Sequence, residues 1–226
     1  MAGRTSFKGI SMAAGIVTGA ALSSYIFLIR PWHLRWGATD AEVDRSMAGD
    51  DLVRQPMRVM TRAVTIDARP AQVWPWLVQM GYGRAGMYSY DWVDRVMGIL
   101  DQGSTRRILP EFQELEVGDV IPMGEGPSWP VQEIEPNRSL VLHIREERVD
   151  ISWSYLLEEC GERQTRLTLR IRVWMAVKLP LVPLLLVMDP GEFLMVRQHL
   201  LGIKERAEAL ADNQEQSDKE VNDETQ

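Results

Sequence analysis

Apolar and polar positions alternate along the middle of the chain, and turn residues separate the alternating segments. The alternation is clearest at 151–157 and 167–173, where every second residue is large and apolar. Glycine, proline and asparagine lie between the segments, which is typical of an antiparallel meander. Together with an apolar segment near the start of this region, the pattern predicts strands at 57–66, 116–123, 129–135, 139–145, 150–158 and 165–175.

Helical spacing follows the first predicted strand. Apolar residues at 73, 77 and 80, with Pro70 near the start and Gly81 at the end, predict a short helix that Pro75 bends. A second short helix is predicted at 89–97. Its inward-facing residues are expected to be Trp92, Val93, Val96 and Met97.

A long helix is predicted near the C-terminus. Asp189 fits its N-cap, Pro190 its first position and Glu192 the third residue of a capping box. Gly202 costs the helix about 1 kcal/mol relative to alanine, so either a neighbour packs closely there or space is kept. An apolar stripe at spacings of three and four predicts that the helix lies on the sheet, through Phe193, Val196, Leu200, Ile203, Ala207 and Leu210.

Residues 9–29 carry no charge and lie between Lys8 and Arg30. At about 1.5 Å per residue, a helix of this length spans a bilayer, so a single-pass transmembrane helix is predicted, with its orientation left open. A cleaved secretory signal and a buried soluble helix are the alternatives. Gly15 and Gly19 form a small-residue face that can pair two such helices into a homodimer.

Charge divides the rest of the chain. The formal net charge is -7, but residues 212–226 hold six acidic residues and one lysine, so they are expected to form a disordered tail. The nearly neutral remainder argues against nucleic-acid binding. We therefore expect a linker at 30–55 and one folded domain at 56–211. The linker, rich in tryptophan and arginine, lies either at the membrane interface or packed on the domain.

Two further features concern surface and redox chemistry. Arg166, Arg170 and Arg172 share one face of the last predicted strand, opposite its apolar residues, and are expected to form a solvated surface. Cys160 is the sole cysteine, which excludes an intrachain disulfide.

The order of these elements resembles the START and polyketide-cyclase superfamily, also called SRPBCC, over residues 57–211. The stretch 67–77, with Pro70, Val73 and Trp74, carries the resemblance, and 76–81, 89–94 and 202–208 are similar to a bacterial membrane-associated branch. The resemblance implies an α+β helix-grip fold. In that fold a curved antiparallel sheet of six to seven strands wraps around the long C-terminal helix, two short helices follow the first strand, and an apolar cavity remains between sheet and helix.

The sequence has no GxSxG, HExxH, P-loop or CxxC motif, so we expect a function without a covalent catalytic step. We expect the domain to bind an apolar small molecule such as a lipid, quinone or polyketide-like compound, with no cofactor and no metal. The stretch 174–188, from Trp174 to Met188, is either a membrane-touching lip or a buried strand with a loop. From strand parity and the helix stripe, the expected ligand-binding residues are Trp76, Tyr90, Trp92, His143, Trp153, Tyr155, Phe193 and Val196.

Two other functions remain open at this point. A cyclase- or dehydratase-like enzyme would use acid or base groups in the cavity, such as Tyr82, Tyr88, Tyr90, Asp91 or His143. A protein-interaction module would have a cavity filled by its own side chains. Histidines at 33, 143 and 199 do not show the spacing of a metal site.

Overall fold

The computed structural model describes residues 19–20, 22–124, 128–176 and 181–224, and the side chains of 181–187 and 221–224 lie outside this description. Its centre is one six-stranded antiparallel sheet with the order β1-β6-β5-β4-β3-β2. The predicted strands are confirmed, although the second is much shorter than expected. They are β1 (Arg58–Ile66), β2 (Val120–Ile121), β3 (Trp129–Glu135), β4 (Ser139–Glu146), β5 (Val149–Gly161) and β6 (Gln164–Met175).

Helices precede, interrupt and follow the strands. Proline occupies the first turn of the helix at Pro70, and Pro75 lies inside the same helix, as the sequence predicts. The helical elements are a π-helical turn (Tyr25–Ile29), α1 (Arg30–Leu34), α2 (Asp40–Asp44), α3 (Pro70–Val78), α4 (Asp91–Val96), a 3-10 turn (Pro110–Phe112) and α5 (Leu181–Glu224).

The core lies between one face of the sheet and α5. Strand parity places Tyr155 and Leu157 of β5 beside Leu169 of β6, and all three side chains are buried. Most of the predicted stripe of α5 packs on this face: Val196, Leu200, Ile203 and Ala207 are buried. This arrangement, with α3 alongside α5, is the helix-grip fold that the resemblance implies.

The three arginines of β6 do not form a solvated surface. Segment 37–53 covers their face of the sheet, and Arg170, only 3% exposed, donates to the carbonyl oxygens of Glu42, Val43 and Arg45 and to the carboxylate of Asp50. Arg166 forms a two-pronged ion pair with Glu42, and Arg172 donates to the carbonyl of Val53. The N-terminal linker is therefore packed on the domain by buried guanidinium groups.

Helix α4 exists, but its orientation was predicted wrongly. Trp92, Val96 and Met97 are 62–82% exposed. The inward side instead carries carboxylates: Asp94 is buried and accepts a hydrogen bond from Ser89. Hydrogen bonding of these carboxylates outweighs the burial of the apolar residues, because an unpaired buried carboxylate costs more free energy than an exposed indole.

The start of the C-terminal helix also differs from the prediction. Helix α5 begins at Leu181 and continues through Pro190, so Asp189 is not an N-cap. Its fully buried carboxylate accepts hydrogen bonds from Arg30 and Arg58 instead. The stretch 174–188 is thereby divided between β6 and α5, with 177–180 outside the described residues. At the other end the helix runs to Glu224, where the composition predicts a disordered tail.

The predicted membrane localisation is wrong. Within the described ranges no helix is both long and apolar enough to cross a bilayer. Arg30, directly after the uncharged run, contacts the domain, since its Nε lies 2.6 Å from Asp189 Oδ2. Tyr25, within the run, packs on His33 of the linker, with ring centroids 5.8 Å apart. Residues 9–18 and 21 of the predicted span, including Gly15 of the predicted dimer contact, lie outside the described residues.

Candidate ligand-binding site

A polar pair lies at the centre of the core, between β5 and α5. The hydroxyl of Tyr155 and Nε2 of His199 are 3.0 Å apart, and both side chains are at least 97% buried. Tyr155 points to α5 because it shares a strand face with Leu157, and His199 follows Val196 by one helical turn. The structure thus places one hydroxyl and one imidazole in an otherwise apolar layer.

A second hydrogen bond sets the tautomer of His199. Its Nδ1 lies 2.5 Å from the carbonyl oxygen of Met87, so Nδ1–H donates a hydrogen bond to that oxygen. Nε2 then accepts a hydrogen bond from the Tyr155 hydroxyl. Burial lowers the pKa of His199 to about 4. Burial also raises the pKa of the Tyr155 hydroxyl. Both groups are therefore neutral at pH 7.

Tyr88 holds this arrangement in place. Its backbone has φ 56°, a conformation that side chains larger than glycine rarely adopt. Its ring stacks on His199 at an interplanar angle of 12°, and Arg206 lies over the ring at 4.7 Å from the centroid. His199, Gly202 and Arg206 are spaced three and four residues apart, so they lie on one side of α5, and Tyr88 packs against that side.

The contacts of Gly202 decide between the two explanations that the sequence leaves open, a closely packed neighbour or empty space. A Cβ at this position would lie 2.9 Å from Tyr88 Cβ and 3.0 Å from the Tyr88 carbonyl carbon, and closer still to the carbonyl oxygen. A neighbour therefore packs closely on the helix here, and the glycine is what permits it.

Aromatic rings continue from this pair along the sheet. Trp153 lies 6.4 Å from the Tyr155 ring and 5.4 Å from the ring of Trp129 on β3. Trp153 also faces the core side of β5, between Leu142 of β4 and Ile171 of β6, which are 2% and 3% exposed. Trp153 itself is partly exposed. The apolar layer therefore reaches solvent at this tryptophan.

Half of the expected ligand-binding residues lie together. Trp76, Trp153, Tyr155 and Val196 belong to the core layer, and Trp76 joins the cluster through an edge-to-face contact with Tyr88 at 6.0 Å. Tyr90 is half-buried at the start of α4.

The other three expected residues lie elsewhere. Phe193 packs against Trp32 and His33 of the N-terminal segment, with ring centroids 5.3 Å apart in each case. Trp92 is 69% exposed. His143 is on the opposite face of the sheet from α5, since it alternates with the core residues Leu142 and Ile144, and its Nε2 pairs with Asp150 at 2.7 Å.

His199 is the residue that the sequence reasoning missed. The spacing of the histidines argues only against a metal site and indicates no other role for His199. The signal was present in the helix pattern, because position 199 lies three residues after Val196 and four before Ile203, within the buried side of α5.

The Tyr155–His199 pair can form hydrogen bonds with a ligand, but neither side chain is charged at pH 7. Tyr155 O–H is committed to His199, which leaves the oxygen's lone pairs as acceptors for a hydroxyl or amine of a ligand. A histidine with a pKa of about 4 is a weak general base at pH 7. The geometry therefore suits polar recognition within an apolar layer better than proton transfer.

Two cavities lie around the cluster. One of about 240 Å³ is lined by Trp76 and residues of α5, and another of about 350 Å³ lies beside Pro31 and Trp32. Neither is lined by Trp153, Tyr155 or His199. A ligand at Trp153 would therefore bind outside both of these cavities.

Comparisons with known proteins give similarity at the level of the fold. CalU16 from Micromonospora echinospora is 17% identical, with 69% of this chain and 87% of that chain covered and a TM-score of 0.34. The Zhui aromatase/cyclase from Streptomyces sp. R1128 is 14% identical, with 67% and 93% covered and a TM-score of 0.39. Aha1 from Colwellia psychrerythraea, solved as a dimer, is 18% identical, with 67% and 97% covered and a TM-score of 0.39. No family model and no curated protein matches the chain.

Proposed function

We propose that the protein binds an apolar small molecule between the sheet and α5, at Trp153. The observation that carries this proposal is the partial exposure of Trp153 on a sheet face where its cross-strand neighbours, Leu142 and Ile171, are buried. Large aromatic side chains that stay partly accessible within an apolar layer are typical of ligand pockets. Trp129 and Trp153 supply flat apolar surface for such a molecule.

The Tyr155–His199 pair supports a ligand that carries a neutral polar group. A hydroxyl or amine of the ligand can donate a hydrogen bond to the Tyr155 oxygen. This bond compensates for the hydrogen bonds to water that the polar group loses on binding. A carboxylate is disfavoured at this position, because burial already opposes any charge on His199. The neutral state of the pair favours binding over an acid–base reaction of the cyclase type.

Titration with 1-naphthol, an apolar compound with one hydroxyl, tests the proposal. The full chain is titrated and the quenching of tryptophan fluorescence is followed. We expect saturable binding at one site. The variant Ile151→Trp places a second indole on the same strand face, next to Trp153, at a position where the side chain is only half-buried. It should weaken binding by about tenfold or more.

Trp92→Ala is the matched control, because it removes an indole that is exposed on α4. It should bind 1-naphthol like the unmodified chain. Binding that is lost in Trp92→Ala and kept in Ile151→Trp would contradict the proposed position. Absence of saturable binding would favour a filled core and a protein-interaction role.

A further inference from the structure

A cavity of about 240 Å³ lies where α3, residues 106–108 and α5 meet. At about 30 Å³ for each water, this volume corresponds to roughly eight water molecules. Three of the lining residues are arginines, and the rest include apolar side chains. The residues that matter here are Trp76, Arg106, Arg107, Ile108, Arg206 and Leu210.

The arginines give this cavity an excess of positive charge. Arg106 is paired with Glu205 at 2.8 Å. The guanidinium groups of Arg107 and Arg206 form no ion pair with a carboxylate in the described part of the chain. Burial lowers the pKa of Arg206, and the positive charge of Arg106 lowers it further, while Tyr88, Glu205 and Asp91 act in the opposite direction.

Arg206 is held in a fixed position. Its Nε donates to the carbonyl of Thr105 at 2.7 Å and its Nη1 to the carbonyl of Gly202 at 3.0 Å. The plane of the guanidinium also lies over the Tyr88 ring. Two of its nitrogens are therefore committed, and Nη2 has no partner among the described residues. A pre-positioned guanidinium loses little conformational entropy when it binds an anion.

Trp76 contributes an unpaired donor. The side chain is 2% exposed, and its indole Nε1 has no hydrogen-bond acceptor among residues 19–20, 22–124, 128–176 and 181–224. A buried N–H without an acceptor costs free energy, and native proteins rarely leave one unpaired. Trp76 and the unpaired guanidinium groups line the same cavity, so an anion bound there would lie close to the Trp76 ring.

We propose that this cavity binds a small organic anion, either a carboxylate or a phosphate ester with an apolar body. Guanidinium groups recognise both oxyanions through paired N–H donors. Ile108 and Leu210 supply apolar surface for the body of the molecule. The cavity is not lined by Trp153, so this proposal holds whether or not a ligand binds at Trp153.

The full chain labelled with ¹⁵N-tryptophan tests this proposal, because each indole N–H gives one NMR signal. Trp76→Phe identifies the signal of Trp76. The probes are benzoate, phenyl phosphate and inorganic phosphate, each compared with sodium chloride at equal ionic strength. We expect benzoate or phenyl phosphate to shift the Trp76 signal saturably, and the stronger of the two identifies the class of oxyanion.

Arg107→Ala should weaken this binding by about tenfold, the effect of losing one charge-assisted hydrogen bond. Arg54→Ala removes an exposed arginine that follows the segment covering the opposite face of the sheet, and it should bind like the unmodified chain. Equal shifts with chloride, unchanged affinity in Arg107→Ala, or equal affinity for inorganic phosphate and phenyl phosphate would overturn the proposal. A folded Arg107→Ala is expected, since this side chain is exposed.

Discussion

Replacement of Gly202 by alanine is expected to destabilise the protein, although alanine is the better helix former. The added methyl group would lie 2.9 Å from Tyr88 Cβ and 3.0 Å from the Tyr88 carbonyl carbon, and it would meet the carbonyl oxygen more closely still. Tyr88 has little freedom to move away, because its backbone is held at φ 56° and its ring lies between His199 and Arg206.

The magnitude follows from two opposing terms. Alanine in place of glycine inside a helix stabilises by about 1 kcal/mol. Overpacking against a core typically costs about 1–3 kcal/mol, and a clash with backbone rather than a flexible side chain places this case at the upper end. The net loss should be about 2 kcal/mol in the free energy of unfolding.

Gly191→Ala provides the matched control within the same helix. A Cβ at Gly191 meets nothing within 4 Å, so this variant should gain up to about 1 kcal/mol from helix propensity. Urea denaturation followed by circular dichroism at 222 nm measures both variants. A Gly202→Ala chain as stable as Gly191→Ala would refute the reasoning, because it would mean that Tyr88 does not pack closely on α5.

Two further predictions concern buried polar groups. The pKa of His199 is about 4 in the folded chain and near 6.5 when unfolded, so its neutral form stabilises the fold above pH 6.5, and about 3 kcal/mol is lost as the pH falls to 4. The variant His199→Gln should lose correspondingly less stability than the unmodified chain over this range in urea denaturation, and equal losses would show that His199 is accessible to protons. Arg170→Met should cost about 3 kcal/mol or more, because it removes a charged donor from the Asp50 carboxylate and from three carbonyl oxygens. Trypsin should then cleave residues 35–54 faster than in the unmodified chain, which has the same arginines in this segment, and unchanged cleavage would contradict the packing of that segment.

The sheet could be predicted because its signal is local. Alternation over 151–157 and 167–173 fixes which side chains share a face, and the turns fix where strands end. The same locality explains the wrong orientation of α4. Its apolar residues look like an inward face, but Asp94 and Ser89 form a buried hydrogen bond that depends on the surrounding loop. The orientation of α4 depends on these tertiary contacts, which the spacing of residues along the sequence does not show.

The start of α5 shows a similar limit. Asp189, Pro190 and Glu192 form a plausible capping box, yet both carboxylates bind arginines that are more than a hundred residues away in the chain. The strand pattern likewise predicts a solvated face for Arg170, although segment 37–53 covers it. In each case a charged side chain has a partner distant in sequence, which a pattern of neighbours does not reveal.

The candidate site was predicted in part for related reasons. Strand parity placed Trp153 and Tyr155 correctly on the core side of β5. The same parity would have placed His143 on the other side, since it alternates with Leu142. His199 was recognisable only as a polar residue on the edge of an apolar helix stripe, and its hydrogen bond to Tyr155 required the fold.

The central claim is that an apolar molecule binds beside Trp153 and the Tyr155–His199 pair. Intermolecular nuclear Overhauser effects between bound 1-naphthol and the assigned protein test it most directly, because they report protons within about 5 Å, the scale of the ring contacts seen here. The account predicts cross-peaks from naphthol to the rings of Trp153, Tyr155 and His199. Cross-peaks confined to Trp92 and Val96 on the exposed side of α4, or none at all, would contradict it.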